Sequence, residues 1–468
     1  MKLTKRVKQV RYLYIFLCAL MLATTALLAG CGSSNTLQSG YYRQIIMQPN
    51  GEFIVKGKLS DSEAKKAGIS FKVDIDEVNK GQPRKITAMY NGTTVRNTRW
   101  FLLELLETGR FASISITFEK NGYTKYTFYD AAGRTCKGFF DAYSMRFQKD
   151  SKDQKLPPKT AYLYDEHDKD KGHLLFTYDK EHRLQKISYT DSNGQAKGFS
   201  GSRSVKALQI SYDKKGHMAA LSWQNDAGYL VKSSSGYAKV TFTYDDKGRI
   251  IERNYFGPDG RPINPALRYR MDQTLAGGPN VRSLEEALDG LKHRYILAGA
   301  INKYAYSKDG LYPVKLSFFG PQGQSLNAAY GAEVHLTYDE FGNITKMTTK
   351  GTDSRLRGFA GSIDTMALTY DDKGNIVKEK FYANNTPASL RWGRFDQSNH
   401  VAEIRYTYDD AGRAVSEAFY TGAGQPTDIK LDYFSRFHKA AYSYDKNAVD
   451  FRRTRYYQTD GTQVFKLR

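Results

Sequence analysis

The sequence is poor in the residues and spacings on which most enzyme sites depend. It has 3 Cys and 8 His in 468 residues, and no two histidines have the His-Glu-x-x-His spacing of a zinc site. Ser200 is not centred between glycines as in a Gly-x-Ser-x-Gly elbow, because it lies within Gly198-Phe199-Ser200-Gly201. We therefore expect no catalytic site, no metal and no cofactor, and we interpret the chain as a non-enzyme.

Acidic side chains cluster in turns, where paired carboxylates would suit a glycosidase or a calcium site. We assign the pairs to turn formation because they recur with the repeat described below; they are Asp245-Asp246, Asp371-Asp372 and Asp409-Asp410. One alternative stays open, an envelope peptidoglycan or glycan hydrolase that uses carboxylates of residues 41–112. The candidates for that role are Asp61, Glu63, Asp74, Asp76, Glu77, Glu104 and Glu107.

The N-terminus has the order of a secretory signal. A basic head is followed by an apolar run from Tyr12 to Leu28 and then by small residues, which is the pattern of a targeting segment that is later removed. The segment Leu28-Ala29-Gly30-Cys31 resembles the lipobox of bacterial lipoproteins. That resemblance implies a signal peptide at residues 1–30, lipidation of Cys31 and a chain anchored in the cell envelope, in a membrane that the sequence does not distinguish; an uncleaved membrane anchor is the alternative.

The expected mature chain is long, basic and almost free of cysteine. Removing residues 1–30 leaves 468 − 30 = 438 residues and removes five basic side chains, so the formal charge falls from +21 to +16. Cys136 would then be the one thiol without a lipid, which excludes an intramolecular disulfide. Packing and strand pairing must hold such a chain together, and its 35 Tyr and 25 Phe suit pleated β surfaces.

One phrase returns along the chain at steps of mostly 32 to 38 residues: an alternating run ends in Tyr-Asp, and Gly follows three residues after the Asp. Spacing of this kind indicates a repeat architecture. Strict copies begin at Tyr129, Tyr212, Tyr244, Tyr338, Tyr370 and Tyr408, and degenerate ones at Tyr178, Tyr306, Tyr444 and, less clearly, Tyr164.

Residues 238–262 show why each copy should form a β-hairpin. Val240, Phe242 and Tyr244 alternate with threonines, as in a strand with one buried face. The Asp245 side chain can accept a backbone hydrogen bond from two residues on, and Gly248 suits the left-handed position of a type I turn with a bulge. A lone hairpin is marginal in water, so neighbouring hairpins must pair.

The repeat divides the expected chain into five parts. We predict the signal peptide at 1–30, a flexible tether at 31–40, an N-terminal cap or small α+β domain at 41–112, and hairpin blocks at 113–300 and 301–468. Short helices are expected at 60–67, at 97–106 and near 283–293. The fold class is therefore all-β, an array of antiparallel hairpins that forms an extended twisted sheet, with a smaller mixed N-terminal region.

The Tyr-Asp-x-x-Gly-Arg/Asn phrase resembles the YD repeats of Rhs-type wall and toxin-delivery proteins. In looser hairpin repeats of bacterial envelope proteins, a Tyr-Phe-x-x-x-Gly-x-Pro segment follows, and residues 255–262 and 419–426 are similar to it. The resemblance covers roughly residues 113–468. It implies a twisted sheet of consecutive hairpins, and we take no toxin function from it.

The remaining features favour binding over catalysis. Basic and aromatic side chains on the hairpins define a candidate ligand surface; its members are Lys239, Arg249, Arg253, Tyr255, Lys378, Lys380 and Tyr382. Partners would be the membrane, through the N-terminal lipid, and an anionic glycan, an anionic lipid or another envelope protein. No specific nucleic-acid recognition is expected. A third possibility is that an exposed sheet edge accepts a strand from a partner.

Overall fold

The computed structural model describes residues 38–464 apart from 67–68, 77–81, 91, 93, 96–97, 103–106, 120–121, 149–155, 200–203, 234–235, 266–298, 309–311, 328–330, 341–343, 359–362, 372–375, 390–399, 410–413, 430–435 and 445–452. Within these residues the secondary structure is nearly all antiparallel β-strand. The expected signal peptide, Cys31, most of the tether and the expected helix near 283–293 lie outside the described residues.

The N-terminal part combines strands with one short helix. Its elements are β1 (Gly40–Met47), β2 (Phe53–Leu59), α1 (Asp61–Lys66), β3 (Ile69–Asp76), β4 (Gln82–Tyr90), β5 (Thr94–Val95), β6 (Thr98–Leu102) and β7 (Glu107–Phe111). The hydroxyl of Ser60 accepts a hydrogen bond from the Glu63 N–H, and the Glu63 carboxylate accepts one from the Ser60 N–H. The helix Asp61–Lys66 confirms the prediction at 60–67 over its described residues, and the reciprocal cap at Ser60 explains where the helix begins.

The helix predicted at 97–106 is wrong for the part of that segment that the structure describes. Residues 98–102 form β6, which pairs with β7 from Thr98↔Phe111 to Leu102↔Glu107. Trp100 explains the difference, because its ring is buried against Phe111 and its Nε1–H donates to the Phe111 carbonyl at 2.9 Å. This tertiary contact outweighs a local helix preference.

The rest of the described chain is a succession of strands and one 3-10 turn (Phe139–Asp141). The strands are β8 (Ser113–Phe118), β9 (Tyr123–Tyr129), β10 (Ser144–Gln148), β11 (Thr160–Tyr164), β12 (Asp170–Tyr178), β13 (Leu184–Thr190), β14 (Ala207–Tyr212), β15 (Met218–Gln224), β16 (Lys239–Tyr244), β17 (Ile250–Phe256), β18 (Ile301–Tyr306), β19 (Pro313–Phe319), β20 (Glu333–Tyr338), β21 (Ile344–Lys350), β22 (Thr365–Tyr370), β23 (Ile376–Ala383), β24 (Thr386–Pro387), β25 (Glu403–Tyr408), β26 (Ala414–Tyr420), β27 (Lys439–Ser443), β28 (Arg453–Tyr457) and β29 (Gln463–Val464).

Hydrogen bonds join these 29 strands into one sheet. From β8 to β28 each strand pairs antiparallel with the next, with one exception. The two-residue strand β24 pairs with the end of β23, and β25 then pairs with β23 and not with β24. At the far end β28 pairs with β27 and β29. The described strands therefore form an open array of hairpins, which confirms the predicted fold class.

The hairpin formed by β16 and β17 shows the predicted turn physics. Val240 and Phe242 are buried, whereas Thr243 is exposed. The Asp245 Oδ1 accepts the N–H groups of Lys247 and Arg249, both at 2.9 Å. Gly248 has a φ of 72°, and the register shifts at Thr243/Tyr244, as the predicted turn with a bulge requires.

The phrase tyrosines tie successive hairpins together. Each hydroxyl donates a hydrogen bond of 2.6–2.9 Å to a backbone carbonyl in the preceding part of the array, in most cases at the start of the preceding hairpin's second strand. The pairs are Tyr178 with Pro158, Tyr212 with Leu184, Tyr244 with Met218, Tyr306 with Ile250, Tyr338 with Pro313, Tyr370 with Ile344, Tyr408 with Ile376 and Tyr444 with Ala414. We call these eight residues the tyrosine ladder.

Tyr129 carries the phrase but is not part of the ladder. The turn at Asp130 has the same backbone bonds as the others, from the Gly133 N–H to the Asp130 carbonyl and from the Asp130 N–H to the Arg134 carbonyl. The chain then runs on through the 3-10 turn before β10 begins, instead of returning at once. The phrase therefore specifies the turn, and the residues after it decide whether a tight hairpin follows.

The buried face of the sheet forms two large core clusters. The first contains residues from Tyr42 to Tyr255, and the second contains residues from Leu316 to Ala440. Tyr304 packs against both clusters. The N-terminal strands therefore share a core with the hairpins up to β17.

The β1–β2 hairpin packs directly on the repeat array. At its tip the Gly51 carbonyl accepts a hydrogen bond of 2.5 Å from the Tyr126 hydroxyl, and Phe53 stacks on the same tyrosine. Further along β1, the Arg43 Nη1 lies 2.7 Å from the hydroxyl of Tyr312 in the β18–β19 turn. One hairpin thus contacts the array at points 186 residues apart in sequence (312 − 126).

Candidate binding surface

The face of β18–β28 opposite the core is strongly basic. Among the described side chains of these strands it carries nine basic residues, which are Lys303, Lys315, Lys346, Lys350, Lys378, Lys380, Arg405, Lys439 and Arg455. The acids on the same face are Glu333 and Glu403. We call this face the basic face; it exists because Lys and Arg take the solvent side of the period-2 strand pattern.

The two acids are held between cations. Glu403 lies 3.1 Å from the Lys380 Nζ and 2.5 Å from the Arg405 Nε. Glu403 is buried, which would raise its pKa, but the hydrogen bonds from Arg405 and Lys380 and their charges outweigh this effect, so the pKa is below the ordinary value. Glu333 is held in the same way by His335 and Lys315.

Five cations of the basic face have no such compensation. No carboxylate in the described part of the chain lies within 4.0 Å of their charged atoms; they are Lys346, Lys350, Lys378, Lys439 and Arg455. Two of them, Lys378 and Lys439, lie in one register row, meaning a line of residues that are paired across neighbouring strands. In this row Lys378 pairs with Arg405, Arg405 with Ala418, and Ala418 with Lys439. This row leaves positive charge that an external anion could neutralise.

The predicted ligand surface is divided by the structure. Lys378, Lys380 and Tyr382 lie on the basic face, and Lys239 lies on the same side of β16, with its Nζ 5.9 Å from the Phe256 ring centroid. The other members take different positions, described next.

Arg253 and Tyr255 lie on the core side of β17 and are 5% and 0% exposed. The Arg253 guanidinium lies over the rings of Phe242 and Tyr304. We predicted that Arg253 lies on the surface, where Arg is usually found. The register shift in this hairpin instead puts Arg253 opposite Phe242 on the inner face. These two residues are therefore removed from the candidate surface.

Arg249 has a structural role that the sequence analysis missed. Its guanidinium bonds to Asp245 Oδ2 at 2.6 Å and stacks on the ring of the next ladder tyrosine, Tyr306, at 4.7 Å from the centroid. Arg183 joins Asp179 to Tyr212 in the same way. The sequence contains a signal for this role. An Arg comes directly after the glycine position of the repeat, and the tyrosine on which it stacks belongs to the next hairpin.

His217 replaces Arg at this position in one hairpin. Its Nδ1 lies 3.1 Å from Asp213 Oδ2, and its ring stacks on Tyr244 at 4.7 Å between centroids. Each of these turn acids is partly buried, which raises its pKa, but the bonds to the Arg or His and to backbone N–H groups outweigh that and lower it. The turn carboxylates are thus engaged in holding hairpins together.

The acids of the hydrolase alternative are only partly described. Asp61 and Glu63 lie in α1, where Glu63 closes the helix cap, and Asp74 lies 3.0 Å from Lys72 on β3. Glu77 and Glu104 lie outside the described residues, so this alternative stays a prediction. In the part of the chain that the structure describes, no three His, Cys, Asp or Glu residues lie close enough together to hold a metal ion.

Cys136 is half-buried after the Asp130 turn. Burial raises the pKa of its thiol to about 12, so it is protonated at neutral pH and is a poor nucleophile.

No protein-family model matches the chain, and no curated protein matches it. Among solved structures, TcdB2-TccC3-TEV aligns at 10% identity with a TM-score of 0.29, over 92% of this chain and 25% of its own. A porin-like protein from Bacteroides uniformis aligns at 11% identity with a TM-score of 0.22, over 67% of this chain and 85% of its own. The chain therefore spans about a quarter of the length of TcdB2-TccC3-TEV, and similarities at these TM-scores assign neither a family nor a function.

No helix within the described ranges is both long enough and apolar enough to cross a bilayer.

Proposed function

We propose that this chain is a lipid-anchored cell-envelope protein with a non-catalytic binding or scaffolding role, and that the basic face is the surface that binds. Nine basic side chains against two acids on one side of consecutive strands is the observation that carries the proposal. Both acids are already neutralised by neighbours, so the excess charge is directed outwards. A partner with repeated negative charge would gain most from this surface.

The anchoring part of the proposal depends on Cys31. A diacylated cysteine would hold the chain at a membrane through two acyl chains, each contributing about 0.8 kcal/mol per buried methylene. Residues 1–30 would then be the signal peptide that is removed, and residues 31–40 would be the flexible tether between the lipid anchor and the rest of the chain.

Two measurements test the two parts separately. For anchoring, Cys31→Ser should abolish metabolic labelling with a fatty acid and release the chain from the membrane fraction. For binding, the full chain purified in detergent should bind isolated cell-envelope material, and the bound fraction should fall as salt rises, because exposed charges are screened. Fatty-acid labelling that persists in Cys31→Ser would contradict the anchoring part of the proposal. Envelope binding that is unaffected by salt would contradict the binding part.

A further inference from the structure

Aromatic rings accompany the cations of the basic face. An aromatic residue faces outwards at or next to the end of the second strand in five hairpins. Phe256, Phe319, Tyr420 and Tyr457 are the last residues of their strands, and Tyr382 is the last but one of β23. All five are partly exposed. We call them the aromatic line, and it runs across the strands beside the cations.

The cations and rings are fixed relative to one another by the sheet. Lys378, Arg405 and Lys439 lie in one register row, and Tyr457 is the next residue in that row. The Arg405 guanidinium is 3.8 Å from the ring centroid of Tyr420. Since neighbouring strands are about 4.8 Å apart, Lys378 and Lys439 are about 14 Å apart along the row.

We infer that the basic face binds a linear acidic polysaccharide that lies across strands β23–β28. Its carboxylates would pair with Lys378, Lys439 and Arg455, and the apolar C–H faces of its sugar rings would pack on Tyr457 and its neighbours in the aromatic line. Cations and outward-facing rings lie on neighbouring strands of β23–β28, which matches a polymer in which each sugar unit carries both a carboxylate and an apolar ring face. This inference rests on the proposed function and names the class of its ligand.

Two other occupants fit the face less well. Insertion into a bilayer needs protruding apolar side chains, but the exposed large hydrophobic residues of the described chain are Ile54, Val95, Leu175 and Tyr229, all outside this face. An inorganic polyanion would use the cations but leave the aromatic line without a contact. Single-stranded nucleic acid could use both, and the experiment below separates it.

The test compares two triple variants of the full chain in detergent, with polygalacturonate as the probe. The variant Lys378→Gln/Lys439→Gln/Arg455→Gln, called the row variant, removes three uncompensated cations; two of them lie in the register row, and Arg455 lies two residues from Tyr457 on β28. The control variant Lys214→Gln/Lys215→Gln/Lys247→Gln removes the same charge from exposed turns of β14–β17. We expect about a tenfold loss of affinity in the row variant, since three modest ionic contacts disappear, and less than about a twofold loss in the control.

A ring variant tests the sugar contact. Tyr457→Ser should weaken binding to polygalacturonate and leave binding to polyphosphate unchanged, and circular dichroism should show the native sheet. Equal losses of polygalacturonate affinity in the two triple variants would overturn the acidic-polysaccharide assignment. So would tighter binding of polyphosphate, oligothymidylate or phosphatidylglycerol vesicles than of polygalacturonate, if that binding is lost in the row variant. Absence of binding to all four probes would instead overturn the proposed function.

Discussion

At the residue scale, the tyrosine of the repeat phrase does more than cover a sheet. Its ring lies on the inner side of the strand end, and its hydroxyl reaches a backbone carbonyl in the preceding part of the array. A buried carbonyl without a donor is costly, and a tyrosine at this site supplies one from the next hairpin. The same residue type therefore both ends a strand and couples two repeats.

Replacing a ladder tyrosine by phenylalanine should destabilise the fold by about 1 kcal/mol. In Tyr338→Phe the ring and its stacking on Tyr312 stay, but the 2.7 Å hydrogen bond to the Pro313 carbonyl is lost. Chemical denaturation measures the change in the free energy of unfolding. Tyr229→Phe is the control, because Tyr229 is 72% exposed, and its change should stay within about 0.5 kcal/mol; equal changes in the two variants would exclude a role for the ladder bond.

The turn carboxylates that form ion pairs with Arg should make the stability of the fold sensitive to acid. The pKa values of Asp179 and Asp245 lie below the ordinary 3.8, because the bonds from Arg183 and Arg249 outweigh the effect of partial burial. The stability that these two carboxylates contribute is therefore fully present above pH 3.8, and it is lost as the pH falls through their lowered pKa values in the folded state. Asp179→Asn/Asp245→Asn should lower stability at neutral pH and flatten its decline below about pH 4.

The measurement is the denaturant midpoint as a function of pH. Asp246→Asn serves as the control, because Asp246 is exposed and makes no ion pair within the described residues. Its acid profile should match that of the parent chain. A double variant with an unchanged acid profile would show that the Asp–Arg pairs do not contribute to acid sensitivity.

At the element scale, the β1–β2 hairpin connects parts of the array that are distant in sequence. Ile45 is 2% exposed and belongs to the same core cluster as Phe147 and Tyr255. An N-terminal hairpin that shares this core should support every repeat it contacts. Its removal would expose the inner face of the first hairpins to water.

Ile45→Ala should cost about 2–5 kcal/mol, the usual range for a large-to-small change in a core. The effect should appear in hydrogen exchange as a loss of amide protection across β8–β17, with β20–β26 changed less. Ile54→Ala in the same hairpin is the control, because Ile54 is 44% exposed, and it should change stability by less than about 0.5 kcal/mol. Loss of protection confined to β1 and β2 would contradict the shared core.

The elements that could be predicted from the sequence are those with local causes. The hairpin of β16 and β17 follows from its alternating pattern and from Asp245 and Gly248, all within 25 residues. The core position of Arg253 and the strand at 98–102 depend on contacts with other elements, namely the register with Phe242 and the burial of Trp100. The basic face was predicted in part, since Lys378, Lys380 and Tyr382 alternate along one strand, but its continuation over neighbouring strands needs the register.

At the scale of the whole molecule, the two core clusters meet near β18. Between β17 and β18 the sheet continues through three paired positions, from Glu252↔Lys303 to Asn254↔Ile301, and Tyr304 packs against both clusters. In repeat arrays stability is approximately a sum of unit terms and nearest-neighbour interface terms. The two parts should therefore unfold together only while their interface is strong.

Weakening this junction should separate the unfolding of the two parts. Tyr304→Ala removes a ring that both clusters share, at a cost of about 2–3 kcal/mol, somewhat below that of a fully buried ring, and equilibrium denaturation should then show two transitions. Tyr406→Ala is the control, because Tyr406 packs against the second cluster alone; it should lower the stability of β20–β28 and leave that of β8–β17 unchanged by hydrogen exchange. A single transition in Tyr304→Ala, shifted as a whole, would mean that strand pairing across β17 and β18 couples the two parts more strongly than the shared core does.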